Sequence, residues 1–137
     1  MKRLVLFLLV LLLCSFNNSF SQQEDHSPEI SSSVPELSDF HEVVYPMWHT
    51  AYPNKDYALF KQLLPDVNAG VEKIYAAKLP GILRDKEKEW NDGLDKLRAS
   101  VADYNKACKE NNEAGMLTSA EELHSNYEML VRIVKPV

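Results

Sequence analysis

The sequence predicts an all-α protein, an up-down-up-down antiparallel four-helix bundle with kinked helices 1 and 2. Three observations point there. Apolar residues recur at steps of three and four in four successive stretches between residues 36 and 137. No stretch alternates apolar and polar residues as a half-buried strand does, and no internal repeat is present. The breaks between stretches are short and carry Pro, Gly, Asn and Asp, and short links between long helices make neighbours antiparallel.

Helix 1 carries its seam on Leu37, Phe40, Val44, Met47 and Ala51. "YPNKD" (52–56) stops it, and Asp56 is placed to cap the next helix. Helix 2 follows with Leu59, Leu63, Val67, Val71 and Ile74, broadened by Phe60, Leu64 and Tyr75, and ends at "LPG" (79–81). Pro46 and Pro65 fall inside these two helices, and each removes a ladder hydrogen bond, which predicts a kink. The apolar phase runs through both prolines, so neither reads as a break.

Helix 3 has Leu83, Trp90, Leu94, Leu97, Val101, Tyr104 and Cys108 on one seam, and "RDKEKE" (84–89) reads as its solvated face with i,i+4 charge pairs. "NNEAG" (111–115) separates it from helix 4, whose seam is Met116, Ala120, Leu123, Tyr127, Leu130 and Val134. "TSAE" (118–121) has the form of a capping box, and Pro136 closes the helix. At 1.5 Å per residue the four helices measure about 24, 35, 45 and 35 Å. Helix 1 is then too short to cover helix 3, leaving one end to the tether, to a partner or to a further stretch of chain. Gly70 and Gly93 fall at similar heights on helices 2 and 3, which predicts a close backbone approach beside Trp90.

Residues 1–21 read as a signal peptide. Lys2 and Arg3 precede the apolar run "LVLFLLVLLLCSF" (4–16), and Ser19 and Ser21 bracket Phe20 at a small-x-small cleavage site. That run falls short of the roughly 20 residues that cross a bilayer as a helix, so no stable membrane insertion is expected after cleavage. Residues 22–35, polar and Ser-rich with two prolines, read as a flexible tether that includes His26, and 36–137 as the bundle domain. The expected location is periplasmic or secreted. Cleavage leaves 13 Lys+Arg against 20 Asp+Glu, a net −7, which speaks against nucleic acid and anionic membrane surfaces. Cys108 is then the one cysteine left, so stability must come from burial rather than a disulfide.

The candidate site lies in "DFHEVVYPMWHTAYPNKDY" (39–57), crowded with His, Met and aromatic residues. His41, Tyr45 and His49 step by four along helix 1. On helix 4, His124 lies on one face with Glu121 and Glu128, and its height above the shared end of the bundle is close to that of Met47. His41, His49 and His124 are therefore candidate metal ligands, with His49, His124 and Met47 the most compact set; soft S and N donors suit Cu or Zn. The plainer reading of the same residues is packing, with Met47 in the core, His124 half-buried and hydrogen-bonded, and Cys108 a small buried hydrophobe.

A methionine on the first helix facing a histidine on the last, Met47 and His124, resembles the b-type haem ligation of cytochrome b562-like bundles, and the exported architecture resembles that group and the cytochrome c′-like bundles. The resemblance implies Met47 and His124 as axial ligands of a non-covalent haem. No Cys-x-x-Cys-His is present, which excludes covalent c-type haem. No Ser/His/Asp order, phosphate loop or His-Glu-x-x-His appears, and no activity as an enzyme is expected. Two functions follow as expectations. One is an exported non-catalytic bundle that binds a transition metal ion or b-type haem between helices 1 and 4. The other is a cofactor-free periplasmic interaction or stress-type bundle whose ligand is a protein partner.

Overall fold

The computed structural model describes residues 34–135. The expected signal peptide, His26 and nearly all of the tether lie outside them. The described chain is all-α, with four helices and no strand among the described residues. Helix α1 (Pro35–Pro46) continues through a π-helical segment (Met47–Ala51) into a last turn (Tyr52–Asn54). Helix α2 (Tyr57–Ala76), a 3₁₀ segment (Gly81–Lys86), α3 (Glu87–Lys109) and α4 (Glu113–Val134) follow.

Each boundary has a local cause. Pro35 opens α1 at a position where its missing N–H costs nothing. Lys55 adopts a left-handed conformation, φ 52°, that turns the chain out of the helix. Asp56 then caps α2 by accepting from the Leu59 N–H at 2.9 Å. At the far end of α2 the extended residue Pro80 cannot continue the helix, and the Leu83 N–H closes a 3₁₀ turn onto the Pro80 carbonyl at 2.8 Å. The tight turn takes up residues that the apolar period assigned to helix 3, so α3 is 23 residues, or about 34 Å. The first helix, followed to Asn54, measures about 30 Å. The shortfall expected of helix 1 therefore shrinks to less than a turn.

The cap of α4 also differs from expectation. Asn111 takes the left-handed conformation, and Asn112 caps the helix by accepting from the Gly115 N–H at 3.0 Å. Thr118 and Ser119 already lie inside the helix, so "TSAE" is not used as a capping box.

The seams of α1 and α4 are buried at every position named from the sequence. Two others are turned slightly. In α2 the bulkier Phe60 goes inward, edge-on to Tyr104 with centroids 6.2 Å apart, and Leu59 and Leu63 remain half-buried. In α3, Gly93, Ser100 and Ala107 join the core while Leu94 sits at its rim. Ser100 is satisfied within its own helix, donating to the Leu97 carbonyl.

The two mid-helix glycines serve different neighbours, which corrects the expected pairing. A Cβ on Gly70 would lie 2.4 Å from the Phe40 ring, and one on Gly93 would lie 2.7 Å from Leu130 Cδ2. Gly70 thus admits α1, and Gly93 admits α4. "NDG" (91–93) leaves α3 unbroken because Gly93 sits in a packed helix rather than a turn.

Buried polar contacts tie the helices together. The Tyr104 hydroxyl donates to the Phe60 carbonyl, and the Tyr127 hydroxyl donates to the Leu37 carbonyl at 2.9 Å. The side-chain amides of Asn68 and Asn105 bond reciprocally at 2.8 and 2.9 Å. Each of these pairings is satisfied in one register and lost in a slipped one. Among the described residues no helix is long and apolar enough to cross a membrane.

Candidate functional site

The π-helical segment Met47–Ala51 follows directly after Pro46, whose ring nitrogen carries no hydrogen to donate. The Tyr52 N–H reaches back to the Met47 carbonyl, five residues away. Such a widened turn keeps Met47 and Ala51 on the core side, both fully buried. It also presents Trp48 and Tyr52 to α4.

Three rings stack across that junction. Trp48 lies flat on His124, centroids 4.1 Å apart and planes 7° from parallel. On α1 it also stacks with Tyr52 at 4.4 Å and 29°. The Tyr52 hydroxyl donates to Glu121 at 3.1 Å, and this hydrogen bond, with burial and the carboxylate's charge, raises its pKa. A second row runs along the outside of α1, with Tyr45 5.8 Å from His41 and 4.5 Å from His49. His41 and His49 are exposed, and Tyr45 is 54% exposed.

The two rows meet α4 at a cleft of about 350 Å³. His41, His49 and His124 all line it. Tyr127 and Glu128 form its wall on α4, and Arg132 and Lys135 continue that wall toward the C-terminal end. His41 approaches Tyr127 with centroids 6.5 Å apart. All three imidazoles named from the sequence are thus brought to one opening.

His124 has a defined charge state. Burial pushes its pKa below the ordinary 6.5; Glu128 opposes this, while His49 and, more weakly, His41 add to it. Its Nε2 lies 3.8 Å from Glu128 Oε1, within ion-pair range. Desolvation outweighs that contact, and the imidazole is neutral at pH 7, the form whose nitrogen lone pair can bind a metal.

Met47 is placed elsewhere. Its side chain is fully buried in the core, and it is not one of the residues lining the cleft. Met47 and His124 therefore do not share an opening, and one ring face of His124 is stacked on Trp48. Among the described residues, no group of three or more His, Cys, Asp or Glu side chains is gathered to hold a metal ion. Cys108 is buried between the helices, and burial pushes its thiol pKa up, which makes it a poor nucleophile.

Trp48, Arg132 and Lys135 are not among the candidate site residues that the sequence pattern singles out. A signal for Arg132 and Lys135 was present: residues 124, 128, 131, 132 and 135 fall at the i, i+4, i+7, i+8 and i+11 positions of one helical face. Nothing in the local pattern showed that Trp48 would reach across to α4. The chain matches no known protein family, no characterised protein and no solved structure at a significant level. The likeness to cytochrome b562 bundles therefore extends only to an all-helical, four-helix architecture.

Proposed function

We propose that this chain is an exported, non-catalytic helical-bundle protein that binds a transition-metal ion, Cu or Zn, through imidazoles in the cleft between α1 and α4. One observation carries the reading. His41 and His49 on α1 and His124, far along the chain on α4, line a single cleft. The least exposed of them is held neutral by its surroundings. His49 and His124 form the nucleus of this site, with His41 eight residues, about 12 Å, from His49 along α1. Imidazole donors are the type that Cu and Zn favour.

In this reading the helices run up-down-up-down, with α1 and α2 bent at Pro46 and Pro65. The order of contacts supports it. Lys61 meets Asn111 and Asn68 meets Asn105, so positions rise along α2 as they fall along α3. The haem alternative has less support, since Met47 is enclosed in the core and does not line the cleft that His124 lines. A cofactor-free interaction bundle is favoured by a different observation: the core is continuous from Val34 to Val134, while Tyr45 stands open beside two exposed histidines.

The test is titration of metal-free protein with Cu²⁺ and Zn²⁺ by calorimetry, with indole fluorescence followed in parallel. One bound ion per chain is expected, with quenching of Trp48 by Cu²⁺, and both are expected to be lost in His124→Ala. Absence of binding with helix content unchanged leaves the interaction bundle standing. A Soret band on adding haemin would restore the haem alternative.

A further inference from the structure

We infer that the cavity at the link between α2 and α3 binds a small amphipathic carboxylate, an anionic head carried on an apolar body. This cavity shares no lining residue with the cleft between α1 and α4. Its origin is local. Pro80 holds the chain extended after α2, and the 3₁₀ turn that follows brings it back toward α3, so a gap stays open between the link and the first turn of α3. A Cβ on Gly81 would meet nothing within 4 Å, so the link is not packed shut at that point. The gap measures about 360 Å³, within the roughly 300–1,000 Å³ of small-molecule sites.

The lining divides into two chemistries. Leu79 is half-buried and Trp90 is 3% exposed, and they give the cavity an apolar wall. Lys78 and Arg84, both exposed, bring two positive charges to the same gap. Neither makes an ion pair among the described residues, whereas Lys88 and Arg98 on α3 are each held by an aspartate about one turn away, at 2.6 and 3.0 Å. A carboxylate can accept charge-assisted hydrogen bonds from both Lys78 and Arg84. Charge alone is a weak hold, because Glu87 also lines the gap and the carbonyl end of α2 lies beside it. An apolar body adds what an inorganic anion lacks, burial against the indole wall. Ile82 adjoins this lining next to Gly81 and is the most exposed large apolar residue among the described residues, at 69%. A body that reaches past Gly81 removes it from water.

The experiment uses the purified, metal-free protein with phenylbutyrate as the probe. Calorimetry measures affinity, and the indole N–H resonances of Trp48 and Trp90, the two tryptophans of the chain, report position. Trp48→Phe assigns them. The expected result is one bound molecule per chain, with the Trp90 resonance shifted and that of Trp48 unmoved. In the double variant Lys78→Ala/Arg84→Ala, affinity is expected to fall about tenfold, the loss of one charge-assisted contact or slightly more. Helix content should not change, because both side chains are exposed. Glu87→Gln is expected to tighten binding by removing a like charge. Phenylbutanol, which has the body without the charge, is expected to bind about tenfold more weakly. Equal affinity for the alcohol and the carboxylate reduces the cavity to a general apolar patch and overturns the proposal. Acetate that displaces the probe at equal concentration leaves only a site for small anions and overturns it too. A shift at Trp48 in place of Trp90 moves the probe to the α1/α4 junction and overturns the assignment. Absence of both heat and shift, with the fold intact, removes it. None of these outcomes bears on metal uptake, which is read separately with Cu²⁺ and Zn²⁺.

Discussion

The indole of Trp48 and the imidazole of His124 lie face to face, 4.1 Å between centroids and 7° from parallel. The contact joins the widened turn of α1 to the middle of α4, and it fixes where His124, the one half-buried histidine among the described residues, points. Trp48→Ala is expected to lower stability by about 2 kcal/mol, from lost burial and lost stacking. Urea unfolding measures the loss. The His124 pKa, followed by the C2 proton in NMR, is expected to rise toward the ordinary value as water reaches the ring.

Acid should weaken the fold through His124. Its folded pKa is depressed, so the unfolded chain binds the proton more readily. The stability this group contributes is fully present above its ordinary value of 6.5. It is lost as pH falls from there through the folded pKa. Thermal midpoints between pH 7.5 and 5 are expected to fall on acidification, and His124→Gln is expected to flatten that slope. Metal uptake at the cleft should weaken over the same interval, because protons compete for the same nitrogen.

Alanine at the two mid-helix glycines should separate them. Gly70→Ala sets a methyl 2.4 Å from a ring that is 1% exposed and has nowhere to go. A loss of about 2–3 kcal/mol is expected from overpacking, and Phe40→Leu in the same chain should recover part of it. Gly93→Ala meets only the tip of Leu130, 2.7 Å away. The strain there is opposed by roughly 1 kcal/mol of helix propensity, so denaturant midpoints should move little.

The true cap of α4 is open to a direct comparison. Asn112→Ala removes the acceptor of the Gly115 N–H and should cost about 1 kcal/mol. Thr118→Ala, at the position the capping-box pattern would favour, should be neutral or slightly stabilising, because Thr118 is an exposed residue inside the helix. Equal losses in the two variants would return the helix start to residue 118.

Met47→Leu tests the thioether. Met47 is enclosed in the core, so a volume-conserving change should cost under about 1.5 kcal/mol and leave Cu²⁺ or Zn²⁺ affinity unchanged. A loss of metal affinity as large as that of His124→Ala would bring sulfur back into the site.

Much of the fold was legible locally. Every residue named for the seams of α1 and α4 is buried, because a 3.6-residue period over many turns fixes which side of a helix is apolar. Asp56 was legible as a cap for a similar reason: a side chain can accept from an N–H three residues on without help from the rest of the chain. The errors came where two local signals competed. Leu59 and Phe60 are adjacent apolar residues, and only the fit against Tyr104 turned Phe60 inward. "TSAE" has the form of a start, but the left-handed turn at Asn111 sets the cap at Asn112.

The site divides along the same line. The sequence by itself determined the helical periods, the acidic balance, and that His41, Tyr45 and His49 lie along one side of α1. Those are properties of a single helix and follow from its geometry. Only the tertiary structure decided that His124 lies against Trp48 rather than Met47. Residues 47 and 48 point about 100° apart on a helix, and which of them meets α4 depends on how the two helices are rotated against each other. That rotation is set by the packing of the whole core, with Gly70 and Gly93 admitting their neighbours and Tyr127 hydrogen-bonded to Leu37, and no stretch of the chain carries it alone.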